Sequence, residues 1–196
     1  MNLSVKPVLT GEKTVLRPVT EADADGIWRL IQDPEIIRFT FEPPAELTLE
    51  RLRPLYAARA THPDRLDLAV TDRATDRHEL LGEVVLHNWD PGTRSCTFRT
   101  LLGPRGRDRG IGTEATRLIV GYGFEQLGLH RIQLEVYGHN HRARRVYEKV
   151  GFVVEGVLRE ARSRDGEWVD EVLMGLLDRE WKAHRGRPEE VTPTVR

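Results

Sequence analysis

Residues 102–113 read Leu102-Gly103-Pro104-Arg105-Gly106-Arg107-Asp108-Arg109-Gly110-Ile111-Gly112-Thr113, an arginine-glycine loop between an apolar strand pattern and an amphipathic helix pattern. Glycine lets a loop take positive φ and bring its N–H groups close to a ligand. The helix that follows adds unpaired donors and a partial positive charge at its N-terminus. That chemistry suits a pyrophosphate. The same residues also suit a surface loop with solvated arginines.

Downstream, Ala115, Leu118, Ile119 and Tyr122 share one helical face, so a helix is predicted over about residues 113–127 and closed by Gly128. A strand over Arg131–Tyr137 follows, then Asn140 as N-cap of a helix over His141–Val150 that Gly151 stops. Strands over about 152–159 and 168–176 flank the turn Arg164-Asp165-Gly166. Upstream, strands over 80–87 and 96–102 form a hairpin about Asn88-Trp89-Asp90-Pro91-Gly92. Nearer the N-terminus lie a strand over 14–17, a helix carrying Ile27, Leu30 and Ile31 that Pro34 ends, and a helix over about 48–60. An alternating strand over 66–70 and a turn over 72–78 follow. Hairpins first and strand-helix alternation afterwards imply an α/β (α+β) chain, with a mixed sheet covered by helices on both faces. One domain is expected over 1–183, and residues 184–196, without an apolar period, are expected to be disordered.

Composition bounds the function classes. With 196 residues, 39% hydrophobic and 31% charged, the chain suits one globular domain with its own core. No run of 18 apolar residues exists and the N-terminus lacks a secretory pattern, so a cytoplasmic protein with no membrane partner is expected. A single cysteine, Cys96, excludes an internal disulfide, and no Cys/His pair has metal-ligand spacing, so no metal is expected. A net charge of −1 gives no global attraction to nucleic acid, and no such partner is expected.

Two other loop types compete for the same residues. Gly110 to Ala115 satisfies G-x-G-x-x-A, and Glu135 lies where a dinucleotide-binding fold puts its ribose carboxylate, so a nicotinamide enzyme is one alternative. Against it, three arginines separate the strand from Gly110, whereas that fingerprint turns directly after its strand. No glycine here is followed by Lys-Ser or Lys-Thr, which excludes a Walker A loop.

Leu102, Pro104, Arg107, Gly110 and Gly112 resemble motif A of the GNAT acetyltransferases, and residues 140–152 are similar to the family's N-x-x-A/S-x-x-x-Y-E-K-x-G-F. Leu16-Arg17-Pro18, Gly82, Glu155-Gly156 and Asp165-Gly166 resemble the RimJ/RimL-like branch. The resemblance implies the GNAT fold, a splayed sheet holding acetyl-CoA between the strand ending at Leu102 and the strand ending near Tyr137. It assigns the Leu102 backbone to the pantetheine and acetyl end, with a nearby N–H meeting the oxyanion. Arg107, Asp108, Arg109, Gly110, Ile111, Gly112 and Thr113 are assigned to the pyrophosphate, and Asn140 to the pantetheine arm. Arg142, Arg144 and Arg145 are assigned to the ribose phosphate. Each has a plainer alternative: core for Leu102, an N-cap for Asn140, solvent for Asp108 and the helix arginines.

The resemblance further implies direct attack of an amine on the thioester, with Tyr147, seven residues after Asn140, as the acid that protonates the leaving thiolate. Packing against the sheet is its alternative role. Where some branches carry a glutamate, six residues before Leu102, this chain has Cys96. The candidate bases are therefore Glu83 and His87, which share one strand face and have exposed strand positions as their plainer alternative, or water. The expected acceptor is a primary amine: a protein N-terminus, a polyamine, an aminoglycoside or another small amine. Glu42, Glu46 and Glu50 are candidates for an acidic acceptor cleft. A monomer or homodimer is expected, and a non-catalytic acyl-CoA-binding module is the remaining alternative.

Overall fold

Alternating apolar positions build one sheet of eight strands in the computed structural model, which describes residues 3–40, 44, 46–75, 79–164 and 166–185. The strands are Leu9–Thr10 (β1), Thr14–Pro18 (β2), Leu66–Asp72 (β3), Leu80–Asp90 (β4), Ser95–Leu102 (β5), Arg131–Tyr137 (β6), Val153–Arg164 (β7) and Glu167–Leu177 (β8). Their spatial order is β1-β2-β3-β4-β5-β6-β8-β7, antiparallel throughout except for the parallel pair β5–β6. That order is incompatible with the parallel sheet of a nicotinamide-binding fold.

Six helices cover the sheet among the described residues: Ala24–Ile31 (α1), Pro34–Phe39 (α2), Leu49–Arg59 (α3), Ile111–Glu125 (α4), His141–Val150 (α5) and Asp178–Arg185 (α6). One sheet face, carrying Leu68, Val84, Phe98, Ile132, Leu134 and Met174, packs against Ile111, Ala115 and Ile119 of α4 and Val150 of α5. On the opposite face, Ala69 and Leu101 meet Ile27 and Ile31 of α1, Ile36 of α2, and Leu52 and Tyr56 of α3. The expected mixed sheet with helices on both faces is what forms.

Several boundaries differ from the expectation, each for a local reason. Helix α4 begins at Ile111, two residues early, because Gly110 takes φ 79° and acts as its N-cap. Pro34 does not merely stop α1; it opens α2, preceded by Asp33, whose Oδ1 accepts from the N–H groups of Glu35 (2.8 Å) and Ile36 (3.3 Å). Asp72 belongs to β3 rather than to the turn, and residues 76–78 and Asp165 of the two expected turns lie outside the described residues. The hairpin strands run longer than expected at both β4–β5 and β7–β8. Helix α6 was not expected. It takes in His184 and Arg185 of the proposed tail, while residues 186–196 lie outside the described residues.

Candidate active site

Strands β5 and β6 pair only at Ser95–Arg131, Cys96–Ile132 and Thr97–Gln133, then separate although both continue. Hydrogen-bond alternation says which groups this leaves free. The Gly103 N–H donates to the Leu81 carbonyl, so alternate residues of β5 bond β4, and Phe98, Thr100 and Leu102 turn their backbone toward β6. The Gly138 N–H donates to the Asp170 carbonyl, so Glu135 and Tyr137 likewise turn theirs toward β5. A cleft of about 490 Å³ opens between these two free edges. Gly82 lets β4 follow β5 to its end, since a Cβ there would run into the Leu101 carbonyl.

At the mouth of the cleft the arginine-glycine loop turns into α4. Gly110 offers no side chain to cap the helix, so the first-turn N–H groups of α4 have no partner within it. Arg107 reaches back into the cleft. Its side chain is 12% exposed, its Nε donates to the Leu102 carbonyl at 3.0 Å, and its Nη1 lies 2.5 Å from Glu35. The Leu102 carbonyl is thus occupied, and its N–H is the group facing the opening. Gly112 lines the cleft directly, and Thr116, one turn later, lines it with its hydroxyl donating to the Gly112 carbonyl at 2.8 Å.

Not every expected loop residue faces the cleft. Asp108 is exposed at φ 55°. Arg109 pairs with Asp72 at 2.5 Å and, with Ile111 and Lys13, lines a separate cavity of about 280 Å³ outside the loop. Thr113 is half-buried in the first turn of α4 without lining either cavity.

On α5, Asn140, Arg142, Ala143, Val146 and Tyr147 line the cleft. Asn140 is an N-cap, its Oδ1 accepting from the Ala143 N–H at 3.1 Å, while its Nδ2 donates to the Phe39 carbonyl at 3.4 Å. Arg144 is not part of the lining; its nearest acidic partner is Glu148 at 3.9 Å. The Tyr147 ring packs edge-on to Phe98 (6.0 Å) and Phe152 (6.1 Å). Burial pushes its phenol pKa well above the ordinary value, so the hydroxyl keeps its proton.

The opposite sheet face lines the other half of the cleft. Glu83 and His87 do share that face, but only His87 reaches the lining. Both Glu83 oxygens are taken, by the Tyr56 hydroxyl (2.6 Å) and by Arg99 (2.9 Å), which makes Glu83 a buried anchor for the cleft residue Arg99. Burial lowers the His87 pKa from its ordinary 6.5, which favours the neutral imidazole. Glu135 and Glu171 also line this half, with Arg162 at 3.8 Å and 3.2 Å from their respective carboxylates. Glu171 is almost buried. Glu46 and Glu50 are exposed and away from the cleft, and Glu42 lies outside the described residues. Sequence reading missed Glu171, Arg162, Arg99 and Glu35, and considered Glu135 only as the ribose carboxylate of the alternative nicotinamide fold. All five reach the cleft or its mouth through pairing and docking between distant segments.

Comparison with known proteins agrees with this geometry. The profile of the acetyltransferase (GNAT) domain matches residues 13–153. The spermidine N(1)-acetyltransferase of Escherichia coli K12 is 27% identical over 179 residues, covering 88% of this chain and 90% of that protein. The uncharacterized N-acetyltransferase YoaA of Bacillus subtilis is 26% identical, covering 87% of this chain and 97% of YoaA. The crystal structure of spermidine N-acetyltransferase from Vibrio cholerae, in complex with CoA and spermine, superposes with a TM-score of 0.78 at 27% identity, covering 88% of this chain and 99% of that one. With both motif segments brought to one cleft between splayed strands, and the profile spanning most of the sequence, the chain belongs to the GNAT family and is an N-acetyltransferase.

Proposed function

We propose that the protein transfers the acetyl group of acetyl-CoA to a primary amine of a small polycationic acceptor of the polyamine type. The observation that carries the acceptor class is the pair Glu135 and Glu171 on the acceptor half of the cleft. A nearly buried carboxylate, Glu171, has as its ion-pair partner there a half-exposed arginine, Arg162, which a cationic substrate can replace. The spermidine acetyltransferases among its relatives support the same class. A protein N-terminus, suggested by the residues resembling the RimJ/RimL-like branch, is the second reading.

The residues present fit an extended, phosphorylated acyl carrier. Two free strand edges flank the cleft, unpaired N–H groups stand at the start of α4, and a Cβ on Gly112 would press on Leu102 Cδ2 at 3.2 Å, narrowing the wall. Acetyl-CoA, when bound, supplies the thioester carbonyl that the amine attacks and the thiolate that leaves. The free N–H groups of Thr100 and Leu102 are the donors on the β5 edge for an oxyanion. Tyr147, protonated at neutral pH, donates to the leaving sulfur. His87, kept neutral by partial burial, takes a proton from the acceptor ammonium and so frees the amine lone pair for attack. Glu83 acts one step back, holding Arg99 at the wall.

The test is a turnover screen with acetyl-CoA against polyamines, aminoglycosides, ribosomal-protein N-terminal peptides and a simple monoamine. The expected result is the highest kcat/KM for polyamines. Efficient acetylation of peptides with no turnover of polyamines would overturn the acceptor class and favour the second reading.

A further inference from the structure

Three charged side chains from three separate elements meet at the mouth of the cleft. Glu35, in the first turn of α2, places one carboxylate oxygen 2.5 Å from Arg107 Nη1 and the other 3.2 Å from Arg142 Nη1. Both arginines line the cleft, from opposite banks: Arg107 follows β5, and Arg142 opens α5 after β6. The far end of α2 is fastened to the same bank as Arg142. The Phe39 carbonyl accepts from Asn140, the Arg38 carbonyl lies 3.1 Å from the His139 ring nitrogen, and the Phe39 and His139 rings stand 5.4 Å apart. Helix α2 is therefore a strap across the opening, with Glu35 as its charged clasp.

A carboxylate shared by two guanidiniums occupies the place that paired phosphate oxygens take in an arginine-lined anion site. Beside a bound diphosphate the same carboxylate is a like charge, and Arg107 cannot serve both anions fully. We infer that Glu35 is an internal anion that holds Arg107 and Arg142 across the cofactor cleft and gives them up to the diphosphate of CoA, thereby setting cofactor affinity and loosening α2. This rests on the reading of the loop as the CoA phosphate site. Because α2 and the Thr40 that follows it also line the cleft, through Ile36, Phe39 and Thr40, cofactor binding reaches the acceptor side through the same strap. The clasped form competes with the ligand, so apparent affinity is reduced by the fraction of molecules in which the clasp is open.

Glu35→Gln keeps the shape of the side chain and removes the charge. Calorimetric titration with CoA is expected to give a dissociation constant several-fold lower for this variant than for the wild type, while affinity for S-acetylpantetheine, which lacks the diphosphate, stays the same. Amide hydrogen exchange over residues 34–39 of the wild type is expected to rise on adding CoA and not on adding S-acetylpantetheine. Equal or weaker CoA binding by a folded Glu35→Gln protein overturns the inference while leaving the acetyltransferase reading intact. A wild-type protein that binds S-acetylpantetheine but gains nothing from the diphosphate overturns both the loop assignment and the clasp.

Discussion

The Tyr147 ring packs edge-on against both Phe98 and Phe152 at the cleft wall, and removing its oxygen leaves that ring packing in place. Tyr147→Phe is therefore expected to fold and bind CoA as the wild type does, with kcat lower by roughly 10² to 10⁴, the usual worth of a positioned acid. Unchanged kcat with chemistry rate-limiting would remove Tyr147 from the mechanism. His87 makes a prediction about stability. Its folded pKa is depressed by burial, so the unfolded chain takes up a proton more readily, and stability is whole above 6.5 and declines as pH falls below it. His87→Gln is expected to flatten that decline in a melting-temperature series from pH 8 down to about pH 5; an identical pH profile would show that His87 does not contribute. The place of Tyr147 on the cleft wall was legible through the resemblance over residues 140–152. Period-two alternation correctly put Glu83 and His87 on one face, but could not choose between them. The choice depends on Tyr56, a partner 27 positions away in the chain, which ties up Glu83. Glu171 and Arg162 reach the cleft only through the register of β7 and β8.

Helix α4 and helix α5 carry the side of the cleft proposed for the cofactor, and their termini are where sequence chemistry was most informative. Asn140 caps α5 as expected, and Gly151 closes it at φ 109°. Asn140→Ala is expected to cost about 1 kcal/mol of stability for the lost cap, seen in denaturant unfolding, with a further loss of CoA affinity because Asn140 itself lines the cleft. Unaltered stability would mean that the cap is replaced by water. Gly112, in the first turn of α4, would bring a Cβ within 3.2 Å of Leu102 Cδ2, and a branched side chain there would extend into the cleft that Gly112 lines. Gly112→Val should fold but lose most of its CoA affinity in calorimetry; normal binding would show that the α4 N-terminus does not face the phosphates. The elements that were hard to read share a property. Helix α2 has only six residues and opens at the same proline that stops α1, and α6, though as long as α1, buries Trp181 without an apolar period around it, so hydrophobic periodicity does not register either. Asp33-Pro34-Glu35 was nevertheless a helix-start signature in plain view.

At the scale of the whole molecule, the splay between β5 and β6 couples two helical layers through one opening in the sheet. The mixed sheet and its helices on both faces were legible because hairpin signals precede strand-helix alternation. The splay was legible only through the family resemblance, since nothing in the local pattern of residues 98–102 or 134–137 records that they fail to pair. A ligand that binds across both edges ties the two halves together, so acetyl-CoA at a hundred times its dissociation constant is expected to add about 2.7 kcal/mol of stability, a rise of several degrees in melting temperature. That shift alone does not separate an enzyme from a module that binds acyl-CoA without turning it over. The measurement that does is the stoichiometry of acetyl transfer: free CoA thiol and acetylated amine counted together as wild-type protein, acetyl-CoA and spermidine are mixed. One acetylated amine per CoA released, saturating in spermidine and abolished by omitting the protein, is the predicted result. Tight acetyl-CoA binding with no amine consumed, across the polyamines and the other amines of the acceptor screen, would contradict it.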